Sequence, residues 1–374
     1  MQGVIKFTEI IMGKKQILIP GGYGAVGTII STLLSKNNHI MPVVAGRNED
    51  QAKQLAQNLN CKWTTIDLKK SESIELALNN IDIVISCYIP SSDFNTFLPD
   101  ICAESGIHYL DIAAFNQFNE KVMNLNEKAA LNGAILITAL GLFPGVPGLI
   151  LGSNTNHFDK IDSADIFFTS GGNMDTLTPL ALQGISHMMG VTPMKWENES
   201  WIKAPAKGRK EYISEPFNKQ ITFYPYMVTH DLVELPKIVK TDKIVMWSMS
   251  ESFFLGMVLL MGLKMGLAKT IKRAEKFLSV LRFLGKKKHK DYSLKIVSRG
   301  RKENLPYERV VEMNETEEFL TAIVPTIVCE QIVNGDISRV GAFTGAGIVD
   351  TQKFIVSLKN GGVNYKDITK KLFI

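Results

Sequence analysis

The chain has 374 residues, 45% of them hydrophobic and 21% charged, with a formal net charge of +5. That length predicts two domains, the apolar content excludes a disordered chain, and 29 Gly and 14 Pro without a period exclude collagen-like repeats. Four cysteines without CxxC spacing exclude a disulfide framework, and no apolar run is long enough to span a bilayer, which together fit a cytoplasmic setting.

From residue 16 to 139 short apolar runs alternate with helical patterns. The runs are QILI (16–19), IMPVVA (40–45), WTTI (63–66), IDIVIS (81–86), HYLDIA (108–113) and AILITA (134–139). Helical spacing fills 25–36, 49–59, 71–79, 94–105 and 116–131. Near-continuous apolar strands joined by helices predict a parallel sheet covered on both faces, a doubly wound Rossmann domain of the α/β class.

The first strand runs into GGYGAVG (21–27), and Gly22-Tyr23-Gly24-Ala25-Val26-Gly27 is a G-x-G-x-x-G loop opening a helix. Such glycines permit a tight turn, close approach of a pyrophosphate, and helix-on-strand packing, while the helix start offers free N–H groups. The alternative is a glycine-rich turn with no ligand. After the second strand, VVAGRN places Gly46 and Arg47 where NAD sites usually hold a carboxylate. An arginine there clamps a 2′-phosphate, which points to NADP(H); a solvated surface arginine is the bland reading. Asp67 ends the third strand, as an adenine contact or the cap of a short turn. Ser86, Cys87 and Tyr88 end the fourth strand and Asp111 the fifth, on the rim where open α/β sheets bind ligands. Tyr88 and Asp111 are the candidate catalytic groups; Asp111 equally suits a backbone cap.

GLFPGVPG (141–148) ends the alternation. Gly145 allows close backbone approach to the cofactor, and Pro147 starts a helix running to about Asn154. Beyond it, 162–170, 220–228, 243–250, 292–299 and 307–314 alternate polar and apolar residues, which predicts strands with one wet face. Helical stretches fall at 176–190, 252–283 and 316–334, giving an α+β domain with a mixed or antiparallel sheet. Residues 350–360 read as a helix and 363–365 as a strand.

GGYGAVG, VVAGRN, HYLDIA and GLFPGVPGL, in this order, resemble the saccharopine dehydrogenase-like oxidoreductases, as does the closing segment 332–365. The resemblance implies an NADP-binding domain made of 1–140 and 335–374, with 141–334 inserted as the substrate domain. It maps Gly22 to Gly27 onto the pyrophosphate loop and Arg47 onto the 2′-phosphate contact, and puts Cys87, Tyr88 and Asp111 on the nicotinamide side. Members usually have a proline after the threonine of the closing motif, and those acting on saccharopine often read proline-glutamate; here Gly345 follows Thr344.

Residues 264–290 hold ten Lys or Arg and one acid, Glu275, for a charge of +9 that leaves −4 on the rest. With the apolar run 253–263 before it, this basic amphipathic stretch suits an anionic membrane surface, an acidic carrier protein, or a core helix with a solvated lysine face. No Tyr has a Lys four residues on, no metal-ligand spacing occurs, and G-x-S-x-G is absent. The expectation is therefore an NADP(H)-dependent oxidoreductase transferring hydride to C=N of an amino-acid conjugate or C=C of an acyl substrate. The alternative is a non-catalytic NADP(H) sensor. The expected partners are a small-molecule or acyl substrate, the membrane or carrier surface met by 253–290, and a second copy of the chain; no metal and no nucleic acid are expected.

Overall fold

Seven strands lie parallel in the first sheet of this computed structural model: β1 (Lys15–Pro20), β2 (Ile40–Gly46), β3 (Lys62–Thr65), β4 (Ile83–Ser86), β5 (His108–Asp111), β6 (Ile135–Thr138) and β15 (Gly341–Thr344). Their order is β15-β6-β5-β4-β1-β2-β3. The structure describes residues 13–88, 95–170, 182, 191–250, 253–284 and 292–372; the expected helix 176–190 lies outside them except for Leu182. Ile17, Leu18, Ile19, Val84 and Leu110 are fully buried, as a parallel sheet covered on both faces requires. The strand order reverses between β1 and β4, and the carboxyl ends there make a crevice.

The helices after β1 to β6 are α1 (Ala25–Leu34), α2 (Glu49–Leu59), α3 (Ser71–Ala77), α4 (Phe97–Ser105), α5 (Asn116–Met123), α6 (Asn126–Leu131) and α7 (Val146–Gly152). The expected single helix over 116–131 is thus two. Asn48 caps α2, its side chain accepting the Gln51 N–H.

The second sheet is mixed and has nine strands. Its path runs β10 (Arg209–Ile213), β11 (Lys219–Pro225), β12 (Lys243–Ser250), β7 (Lys160–Ser170), β13 (Tyr292–Lys302), β14 (Leu305–Glu315), β16 (Asn364–Lys371), with β8 (Met194–Glu197) and β9 (Ser200–Lys203) beside β12. Only β12 and β7 pair in parallel. Among the described residues three helices belong to the middle of the chain: α8 (His230–Glu234), α9 (Phe253–Lys264) and α10 (Ile271–Leu284), the last two replacing one expected helix over 252–283. Then come α11 (Glu317–Val333) and α12 (Thr351–Asn360).

Packing divides the chain into two units. The first holds residues up to Ser153, Thr229–Ile238 and Glu318–Gly361; the second holds Asn154–Val228, Val239–Glu317 and the chain from Gly362. This differs from the division 1–140 with 335–374 against 141–334 in four segments. Residues 141–153 and 229–238 join the first unit because Asp231 bonds to the turn before α7. Helix α11, buried throughout 322–329, joins it too, and Gln331 exchanges hydrogen bonds with the Asp350 backbone. The final strand β16 leaves it, pairing antiparallel with β14 over eight residues.

Within the second unit a buried polar network pins β16. Arg309, 1% exposed, donates to Asp367 through Nε (3.0 Å) and a terminal nitrogen (2.7 Å), and to Asn154 Oδ1 (2.9 Å). Asn154 in turn donates to Ser298 Oγ (2.7 Å), and Tyr365 to Asp367 (3.0 Å). Burial opposes ionisation of Asp367, but the bidentate guanidinium outweighs it and the pKa is lowered. Asp367→Ala, which strands a buried guanidinium, is expected to cost about 3–5 kcal/mol in denaturant unfolding. The double exchange Arg309→Met with Asp367→Leu should cost clearly less; equal losses would contradict this account.

Candidate active site

The glycine-rich loop sits at the reversal point of the first sheet. Gly21 and Gly22 N–H both reach the Ala45 carbonyl on β2, and Cys87 N–H reaches the Pro20 carbonyl, so β1, β2 and β4 are tied together at their carboxyl ends. The positive φ of the turn falls on Gly21 (78°) rather than on a glycine of the G-x-G-x-x-G motif. Gly27 packs helix on loop: a methyl there would overlap the Gly21 carbonyl and come within 2.7 Å of Gly22 Cα.

Gly24 occupies the N-cap of α1 with no side-chain cap, and the first turn holds no acid. The first helical bond runs from Thr28 N–H to Gly24 O, which leaves the N–H groups of Ala25, Val26 and Gly27 without intrahelical acceptors. That is an anion site by construction.

Tyr23 does something the motif does not reveal. Its ring lies on Gly46, where a Cβ would come within 2.6 Å of the phenol Cζ and oxygen, and its hydroxyl accepts the Asn48 N–H (3.0 Å). The tyrosine thereby clamps the glycine loop to the end of β2, either side of Arg47. Arg47 itself is exposed and makes no ion pair among the described residues, so its guanidinium is available to a phosphate. The residues present fit a phosphorylated dinucleotide: unpaired amides for the pyrophosphate, and a cation for a 2′-phosphate.

Asp67 is committed locally. Its Oδ1 accepts the Lys69 N–H (3.1 Å), its N–H donates to Ser73 Oγ (3.0 Å), and Lys70 N–H reaches its carbonyl. These bonds are those of a short turn at the end of β3.

Ser86 and Asp111 stand side by side in the β4–β5 register, both buried. Tyr88 and Ser86 line a small cleft together with Tyr109, Leu98 and Phe118. Burial pushes the Cys87 thiol up to about 12, so it stays protonated and is no thiolate nucleophile. Asp111 Oδ1 accepts from Ala113 N–H (2.8 Å), Thr138 Oγ1 (3.0 Å) and Ala139 N–H (3.3 Å). Its Oδ2 makes no hydrogen bond among the described residues. Burial raises its pKa to about 6 despite those donors. Thr138 Oγ1 also lies 2.9 Å from Asn119 Oδ1, so its one hydroxyl proton is shared between two acceptors.

Gly145 takes φ 132° and ψ −70°, a glycine-only conformation, and a Cβ would meet the Gly141 and Ala139 carbonyls. Its N–H is bonded to Asp231 Oδ2 (3.1 Å), which also takes the Gly148 N–H (2.9 Å). The start of α7, expected to face the cofactor, is therefore capped by the chain's own carboxylate. Asp231, Tyr109 and Asn119 were not singled out from sequence. Asp231 lies more than eighty residues from the turn it caps, and no local pattern marks it. Its neighbour His230 is buried with Nε2 unpartnered among the described residues, and burial holds its pKa below the ordinary value.

Residues 17–137 match the family model described as the saccharopine dehydrogenase NADP binding domain. Over those residues the first unit is similar to that NADP-binding domain. Its cofactor is NADP(H). Among solved structures, this chain is similar to apo saccharopine dehydrogenase (L-Glu forming) from Saccharomyces cerevisiae. Identity is 14% and the TM-score 0.70, covering 95% of this chain and 100% of that one. DAP dehydrogenase from C. glutamicum, in complex with DAP, is 12% identical with a TM-score of 0.49, covering 91% and 95%. Identities this low speak to the fold alone.

Two predictions follow from this geometry. Gly46→Ala should displace the Tyr23 ring and weaken NADPH binding about tenfold or more, read by fluorescence titration; an unchanged affinity would rule out the clamp. Asp111 holds its proton more tightly folded than unfolded, so its contribution to stability falls as pH rises from about 4 to about 6. Asp111→Asn abolishes that titration, and its melting temperature relative to the parent should climb between pH 4 and 7. A flat difference would contradict a raised pKa.

Proposed function

We propose that the protein is an NADPH-dependent reductase acting on the C=N bond of an amino-acid conjugate. The observation that supports it most is the pairing of an uncapped, acid-free helix start at Ala25–Gly27 with an exposed, unpaired Arg47 at the end of β2. NADPH, when bound, supplies the hydride. Within this reading Ala25, Val26 and Gly27 hold the pyrophosphate through backbone N–H groups, and Arg47 holds the 2′-phosphate. Ser86 and Cys87 shape the wall at the end of β4. Tyr88 offers a phenol to the substrate, and Asp111 a carboxyl group that changes charge near pH 6.

A protonated imine asks least of such a site, because it accepts hydride without a further acid; ionised Asp111 would favour its positive charge. The second reading is reduction of C=C in an acyl chain, supported by the basic, apolar-studded helices α9 and α10. A non-catalytic NADP(H) sensor is the reading that the turnover test addresses: NADPH oxidation with imines formed from amino acids and 2-oxo acids supports the reductase, and binding without turnover across that panel supports the sensor.

Arg47→Asp is expected to raise the NADPH dissociation constant about 10–100-fold, since it replaces a charge-assisted contact by repulsion. NADH binding should change by less than about threefold. Equal losses for both cofactors would remove Arg47 from the 2′-phosphate site.

A further inference from the structure

Helices α9 and α10 carry apolar side chains on their outer faces as well as their inner ones. The inner faces close on each other through Leu263, Ala268, Ala274, Phe277, Leu278 and Leu281, and Gly262 lies against the Phe277 ring. Folding of the pair is thus served without the outer residues. Yet Met257, Met261 and Met265 recur every fourth residue with 44%, 58% and 74% exposure, and Phe283 is 89% exposed. On α10 Arg273, Lys276, Val280 and then Phe283 and Leu284 follow one another in steps of three or four residues, so cations and apolar groups share one stripe. Exposed Lys264, Lys269, Lys272, Arg273, Lys276 and Arg282 face a single acid, Glu275, in 264–284. The lysines at 286–288 and 290 lie outside the described residues.

We propose that α9 and α10 form a docking face for an anionic lipid bilayer. The charge selects an anionic partner. The apolar side chains select a lipid one, because exposed Met and Phe on the same pair of helices stand alongside the cations. Projecting Phe and Met enter a headgroup layer while Lys and Arg stay at the phosphates. Among the described residues no helix is long and apolar enough to cross a membrane, so the contact is one of lying on the surface. This inference goes beyond the reductase reading and stands without it.

The test is cosedimentation of the full chain with phosphatidylcholine vesicles and with vesicles containing phosphatidylglycerol. Binding is expected only to the anionic vesicles, and weaker at high salt. Substituting Lys272, Arg273 and Lys276 together by Gln should weaken partitioning about a hundredfold, at roughly fivefold per charge. Phe283→Ser with Met261→Ser should weaken it several-fold while leaving the salt dependence in place. Unchanged NADPH affinity in both variants shows that the fold is intact. The proposal is overturned by equal binding to neutral vesicles, by anionic binding that neither variant disturbs, or by no vesicle binding, including the case of a chain that binds only an acidic protein.

Discussion

The close approach of Gly27 to the turn at Gly21 and Gly22 is the constraint on which the site depends. Without that contact α1 would stand off from β1, and its three free amides would not lie at the point where strand order reverses. The other elements of the cofactor site are arranged around it. The Ala45 carbonyl anchors the loop from β2, and Tyr23 reaches across to Gly46 and Asn48. Arg47 lies between two residues touched by one side chain. A motif glycine and a cation some twenty positions later thus become parts of one binding surface.

The chemistry of the rim is set by burial more than by charge. Asp111 and Asp231 are both carboxylates taken out of water, and each spends one oxygen on backbone amides while the other has no partner among the described residues. Asp231 serves the turn before α7. Asp111 ties β5 to the segment after β6, where Ala139 takes a positive φ, and retains an ionisation near neutrality. In the proposed reading a structural and a chemical role coexist in the same group, since the desolvation that raises its pKa comes from the packing it organises.

Much of this was legible in the sequence because it is local. Strand after strand of the first sheet shows as an unbroken apolar run, and the glycine loop and Arg47 are read from adjacent residues. What escaped is non-local. Tyr23 reads as a variable position until Gly46 is beside it. Gly145 suggests an approach to ligand, yet its amide is taken by Asp231, distant in the chain. The last strand reads from sequence only as 363–365, and its place is set by its ladder with β14 and the Arg309–Asp367 pair, fifty-eight residues apart. Helix α11 is non-local in the same way: a largely apolar helix announces burial but not its neighbours.

Amide hydrogen exchange on the full chain, with and without saturating NADPH, tests the central claim most directly. The account predicts that exchange slows at 22–28 and at 46–48, as the free amides of Ala25–Gly27 gain acceptors and the Arg47 segment is held. NADH at equal saturation should slow 22–28 alone. Protection elsewhere with 22–28 unchanged would contradict the assignment of the glycine loop as the cofactor's anion site.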